Sequence, residues 1–221
     1  MQANTVVGPK RDSLPVVRSA RPADHPAIRE VVVAAYQQYA DELGPQVFPR
    51  YLADLLDLDR HAHHGHLLVA EVDGRIRGSG AFYPDSSVQG LGWPQGWAGG
   101  RALAVHPAAR GRGVAGTLLD ACERLARSHG APVFAFHTGS FMAGAILLYE
   151  QLGYHRAPEF DLSLNAHYGA ISAAPAIAVA YLRRLTAARH DHVRRTHCGA
   201  GTAQHTVGFD VGNRPASNTA P

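Results

Sequence analysis

Apolar residues recur at three-and-four spacing through DHPAIREVVVAAYQQYADELG, so that Ile28, Val31, Val32, Ala35, Tyr36 and Tyr39 share one side of a predicted helix. Asp24 stands where an N-cap is needed, Pro26 falls in the first turn, and Gly44 supplies a stop. The preceding LPVVRSA has the length and composition of a short strand. A second helix is expected from about Pro49, with Tyr51, Leu52, Leu55 and Leu56 on one side, ending near the cluster HAHHGH. The pattern then changes to two short apolar runs, HLLVAEV and RIRGSGAFY, joined by Asp73-Gly74, the dipeptide of a tight β-hairpin. SSVQGLGWPQGWAGG, with both tryptophans, reads as a long loop, and in a compact domain a loop of this length is more often a functional lid than idle chain. RALAVHP comes next as a third strand of the meander.

Further on, VAGTLLDACERLARSHG predicts a helix with Val114, Leu118, Leu119, Cys122, Leu125 and Ala126 on one face and Gly130 at its C-cap. VFAFHT reads as a buried strand, GSFMAGAILLYEQLG as another helix, YHRAPEFDL as a further strand and AIAVAYLRRL as the last one. This order predicts an α/β (α+β) fold: a mixed, mostly antiparallel sheet of six to seven strands with helices on both faces. The domain is expected to span residues 14–187, between a flexible N-terminus at 1–13 and a polar, aperiodic tail at 188–221 expected to be disordered.

Composition narrows the function classes. With 221 residues, 46% hydrophobic and 18% charged, the chain suffices for one buried core and little more. The formal net charge is +3, but the basic residues are scattered, which favours a small anionic ligand over nucleic acid. Two cysteines, Cys122 and Cys198, and a start without an apolar core point to the reducing cytoplasm, and no apolar run is long enough for a bilayer.

The candidate chemistry lies in VHPAARGRGVAG, Val105 to Gly116. Gly111, Gly113 and Gly116 spell GxGxxG, yet a dinucleotide loop should open the first βαβ unit and be followed by a strand ending in a carboxylate. Here it comes after an antiparallel meander, and the next strand ends FAFHT. A P-loop reading fails because no Gly-Lys-Ser/Thr closes the segment. A purely structural turn is the plain alternative. Against it stands the junction itself: a strand, an Arg/Gly loop, then a helix N-terminus whose free amides and partial charge of roughly +0.5 suit a pyrophosphate.

The segment LAVHPAARGRGVAGTLL resembles the acetyl-CoA loop of the GNAT superfamily of N-acetyltransferases, a Gln or Arg, two residues, Gly, one residue, then Gly or Ala; here it is Arg110, Gly111, Arg112, Gly113, Val114, Ala115. AILLYEQLGY, Ala145 to Tyr154, is similar to the helix and strand start that close the same site, and the order of elements over residues 14 to 187 fits that fold. The resemblance implies acetyl-CoA as co-substrate, without a metal. Leu103, Ala104 and Val105 would meet the pantetheine arm through their main chain, and Arg110 to Gly116 would hold the pyrophosphate. It also implies that Tyr149 is the general acid, a role a phenol suits because its ordinary pKa of about 10 is near that of a thiol. On periodicity alone Tyr149 would be a core aromatic. Met142 stands where many members have an asparagine on the cofactor arm, and no glutamate occupies the strand WAGGRALAV where some relatives place a base; Glu71, His137 or a water chain remain open for that role.

The activity implied is transfer of an acetyl group to a primary amine of a small molecule. A protein N-terminus or lysine is the second enzymatic reading, and a non-catalytic acyl-CoA-binding module the alternative from another class. Trp93 and Trp97 are candidate linings of the acceptor pocket. HAHHGH, His61 to His66, reads as a solvated loop, Cys122 as a core residue, and His190, His192, His197, Cys198 and His205 lack the spacing of a zinc finger. No nucleic acid or membrane partner is expected; a homodimer is compatible with the sequence.

Overall fold

The hairpin at Asp73-Gly74 forms as the pattern predicts. Strand β2, His66–Val72, and strand β3, Arg75–Tyr83, pair antiparallel, with Asp73 and Gly74 both at positive φ. The computed structural model describes residues 13–169 and 176–185, so the expectations for the N-terminus and for the tail residues lie outside the described residues. Along β2 the side chains alternate between two cores. Leu68, Ala70 and Val72 enter one and Leu67 and Val69 the other, so the sheet is covered on both faces.

On the first face lie α1, His25–Tyr36, α2, Ala40–Leu55, and α3, Leu58–His64. Ile28, Val31, Val32, Ala35 and Tyr36 are buried there, as their spacing requires. Asp24 does not cap α1 through its side chain: its carboxylate accepts the Arg21 N–H at 2.7 Å and pairs with Arg18 at 2.7 Å, which holds it well below the usual carboxylate range, at about 2. The helix gives way to a 3-10 turn at Gln37–Tyr39, earlier than Gly44. Gly44, at φ 69°, instead interrupts α2, and Pro45 restarts it where a proline is tolerated. The expected second helix is thus divided, its end forming α3. HAHHGH is not a solvated loop: His61, His63 and His64 lie in α3, and His61 is fully buried with Nδ1 2.5 Å from the Tyr83 hydroxyl.

Among the described residues the sheet has eight strands, one more than the upper expectation, in the order β1-β2-β3-β4-β5-β8-β6 with β7 also on β8. They are β1 Val16–Ser19, β4 Ala98–Val105, β5 Val133–Gly139, β6 His155–Arg156, β7 Leu162–Ser163 and β8 Ile177–Arg184. YHRAPEFDL is two short strands because a 3-10 turn at Pro158–Phe160 divides it. On the second face lie α4, Val114–Ser128, and α5, Ala143–Gln151, while the short α6, Leu164–His167, packs beside α2 and β8. Cys122 is buried on the inner face of α4, its thiol pushed up to about 12 by burial. Gly153, at φ 80°, closes α5: the Tyr154 N–H bonds the Tyr149 carbonyl at 3.0 Å and the Gly153 N–H that of Glu150 at 2.9 Å.

β4 and β5 run parallel and pair only at Ala98↔Phe134 and Gly99↔Ala135, after which they diverge. On its other side β4 runs along β3 with an irregularity: Ala81 faces Arg101 but Ser79 faces Ala104, so β4 carries one extra residue. Ala102, at φ 53°, sits in this bulge. The consequence is that Arg101 and Ala102, adjacent in sequence, both turn toward the α1–α2 face.

Burial pushes the His61 imidazole down to about 4 from its ordinary value near 6.5. The folded ring therefore stays neutral where the unfolded chain takes up a proton, so this residue's stabilisation is complete above pH 6.5 and is lost as the pH falls toward 4, by roughly 3 kcal/mol over that window. His61→Gln is expected to lower stability at pH 7 and to flatten the dependence of the urea midpoint on pH between 6.5 and 4; an unchanged slope would show that His61 titrates normally.

Candidate active site

The divergence of β4 and β5 opens a cavity of about 700 Å³. Its first end is main chain. Leu103 and Val105 line it from β4, and the segment from Ala109 to Gly116 lines it at the start of α4, Arg112 excepted. Gly111 and Gly113 have φ of 75° and 76°, a conformation that costs glycine little, and Gly113 is the residue from which α4 starts. A Cβ added at Gly111, Gly113 or Gly116 would meet no atom within 4 Å, so open space stands over all three. The first turn of α4 holds no acidic residue, leaving its amides and the positive end of its dipole uncompensated. An extended anionic arm ending in a pyrophosphate fits this surface: an unpaired strand edge leading to a bare helix N-terminus.

The two arginines of the loop behave differently. Arg110 lines the cavity and bonds Gln38 Oε1 at 3.2 Å and the Ala35 carbonyl at 3.4 Å, tying the loop to α1. Arg112 turns outward to Asp73 of the hairpin at 3.1 Å and is absent from the lining. Ala104 also turns away, into the core under α1. The Leu103 carbonyl accepts the Tyr36 hydroxyl at 2.9 Å, which leaves a carbonyl oxygen one lone pair for a further partner.

Tyr149 and Met142 close the middle of the cavity. Tyr149, 6% exposed, packs on Phe136 with ring centroids 4.6 Å apart and also on Tyr154 and Tyr181, so it is a core aromatic and a lining residue at once. Burial holds its phenol well above the usual value, with the Thr138 hydroxyl opposing, so the group keeps its proton. Met142 Sδ accepts the Thr138 hydroxyl at 3.5 Å, which keeps this methionine against β5.

The second end is lined by residues of α1, α2, β4, β5 and α6 and the turns beside them, with Tyr36, Tyr39, Tyr51, Arg101, His137, His167 and Tyr168 among those that bring polar atoms. Burial pushes the His137 imidazole down to about 4; Nε2 lies 2.8 Å from the Phe160 carbonyl and Nδ1 is buried without a partner. The N–H therefore belongs on Nε2, and Nδ1 carries a bare lone pair at neutral pH. Of the other candidate bases, Glu71 is held by Arg18 at 2.5 Å on β2, outside the lining.

Neither tryptophan lines the cavity. Trp93 is buried against His137 at 4.4 Å and Phe160 at 5.2 Å, and Trp97 packs on the same cluster. The tyrosine wall and Arg101 escaped sequence reasoning, since the helical spacing of Tyr36, Tyr39 and Tyr51 equally describes packing. The unpaired charge in RALAV was the one available signal for Arg101.

A sequence model of the Acetyltransferase (GNAT) family matches residues 28–154. Among solved structures, a GCN5-related N-acetyltransferase from Rhodopseudomonas palustris superposes with a TM-score of 0.56 at 22% identity, covering 80% of this chain and 100% of its own. The paia N-acetyltransferase of Thermoplasma acidophilum, in complex with coenzyme A, gives 0.57 at 11% identity over 78% and 100%. For yncA of Salmonella typhimurium, determined with its cofactor acetyl-CoA, the values are 0.54 and 20% over 84% and 100%. These likenesses show a shared fold, a mixed sheet with helices on both faces. The family model takes in most of α1 through α5 and the cavity lining from Ala35 to Gln151, and on that match the chain belongs to the GNAT family of acetyltransferases.

Proposed function

We propose that the protein binds acetyl-CoA along the divergent β4 edge and passes the acetyl group directly to the primary amine of a small molecule. The observation that carries this reading is the continuity of one cavity from the bare α4 N-terminus, past the buried hydroxyl of Tyr149, to a polar second end. The yncA structure holds acetyl-CoA and the paia structure coenzyme A, and both support this donor. The compact second end, walled by side chains from five elements, favours a small amine over a protein chain.

When bound, acetyl-CoA supplies the thioester carbonyl that an amine attacks. The chain's own contribution is positional and electrostatic. The amides of Val114, Ala115 and Gly116 meet the pyrophosphate, and the Arg110 guanidinium lies beside them. The main chain of Leu103 and Val105 receives the pantetheine arm as an added strand would be received. Met142 bounds that arm where it passes α5. Tyr149 holds a proton on Oη; with its pKa raised by burial it acts first as a hydrogen-bond donor to the sulfur on which charge develops, and releases the proton as the thiol departs. No carboxylate lines the cavity among the described residues and His137 Nδ1 is closed off from solvent, so removal of the amine's proton falls to water.

Gly116 offers the clean test of the cradle. It lacks a positive φ and has open space above it, and an acidic side chain in the first turn of α4 favours the helix. Gly116→Glu should keep or raise the melting temperature while weakening acetyl-CoA binding by calorimetry at least about 100-fold, because charge and bulk enter the pyrophosphate position; equal affinity would make VHPAARGRGVAG a structural turn. Tyr149→Phe should retain acetyl-CoA affinity and lose about 100-fold or more in turnover, measured as thiol release with an amine panel. Affinity without turnover in the unsubstituted protein would instead favour a non-catalytic acyl-CoA module.

A further inference from the structure

Arg101 introduces a charge at the second end of the cavity that acetyl transfer does not require. The bulge at Ala102 turns it to the α2 side, where Nη2 bonds Asp54 Oδ2. Asp54 is already shared: Oδ1 bonds Arg60 Nη2, and Oδ2 accepts the Tyr168 hydroxyl at 2.9 Å. Arg60 has a second carboxylate in Asp57, with Nε 3.4 Å from Oδ2, so two guanidinium groups are matched by two carboxylates, and Asp54 is the anionic partner of Arg101. Arg101 lines the cavity, its side chain only 14% exposed, and apart from the Nη2 bond to Asp54 its guanidinium makes no hydrogen bond to an accessible partner among the described residues.

Beyond Asp54, no carboxylate meets Arg101 among the described residues. No Asp or Glu lines the second end among the described residues, and His137, across from Arg101 on β5, is neutral at pH 7. A structural tie between β4 and α2 needs only the Asp54 bond, which uses one of the guanidinium's five N–H donors. A guanidinium with donors to spare, in a water-poor site beside the Tyr51 and Tyr168 rings, is the arrangement that receives a planar carboxylate.

We infer that Arg101 receives a carboxylate on the acceptor, so that the substrate class is small amines bearing a carboxylate, α-amino acids and their analogues. This rests on the acetyltransferase reading and adds to it a determinant of specificity. In the reaction the amine nitrogen forms a bond to the acetyl carbon, the carbon–sulfur bond breaks, one proton leaves the nitrogen, and the sulfur departs as thiol. The carboxylate takes no part in bond making.

The test is a panel of aliphatic and aromatic α-amino acids, each beside its primary amide and its decarboxylated amine, with acetyl-CoA and thiol release as the readout. The expected result is a kcat/KM about 10- to 100-fold higher for the carboxylates, carried mainly in KM, the range of a charge-assisted hydrogen bond. The paired variant Arg101→Gln with Asp54→Asn removes both charges together, which avoids stranding Asp54, and should erase the preference while acetyl-CoA binding by calorimetry is unchanged. Arg101→Lys keeps the charge without the planar fork and should retain only part of the preference. Equal or better turnover of the decarboxylated amines overturns the inference and leaves the transferase reading standing. Acetyl-CoA binding with turnover of no amine of any class overturns both.

Discussion

The parting of two parallel strands after two paired residues is the constraint on which this molecule's architecture depends. At Ala98 and Gly99 β4 is held by β5; from Gly100 onward its main chain on that side has no strand partner. Backbone N–H and C=O groups that lose a ladder must find other partners, and here they face a cavity. The two glycines at the parting permit it. A Cβ at Gly99 would fall 2.6 Å from Ser86 Cβ and 3.1 Å from the Ala135 carbonyl, so only glycine lets the strands meet there.

The helices of the first face are then secured to the opened strand from the far side. Asp54 of α2 joins Arg101 of β4, Arg60 of α3 and Tyr168 beyond α6, while the Tyr36 hydroxyl of α1 reaches the Leu103 carbonyl. Tyr36, Arg101, Leu103 and Tyr168 also line the cavity, so side chains that fix the helices shape its wall as well. The proposed role of Arg101 comes out of that double duty: Asp54 takes one side of its guanidinium, and the residue lines the cavity with the rest.

What the sequence made legible was local. The Asp73-Gly74 turn and the apolar stripe of α4 are written in consecutive residues and form as read, while of the Arg110–Gly116 loop all but Arg112 line the cavity. What it concealed depends on partners far along the chain. Arg101 and Asp54 are 47 residues apart, and Tyr168 is 114 from Asp54. β4 begins at Ala98, inside a stretch whose glycines read as loop, because pairing with β3 on one side and β5 on the other overrides propensity. His61 lay within a polar run, yet the turn of α3 drives it under Tyr83. Trp93 and Trp97 looked like exposed loop residues, but Phe160 and His137 gave them an aromatic cluster of their own.

The proposed anion cradle at α4 is assembled from peptide groups, and Arg112 illustrates how little it asks of its side chains. That residue leaves the cavity for Asp73, and the cradle remains whole. The demand on this segment falls on φ and ψ at two glycines and not on the chemistry of most of its side chains. Residues between those fixed points are therefore free to drift, which is how proteins sharing as little as 11% of their residues with this one can arrive at the same fold. A surface that reads a ligand through its main chain is correspondingly hard to retune by substitution, so new specificity in such a scaffold is most easily acquired at the opposite end of the cavity, where side chains do the reading.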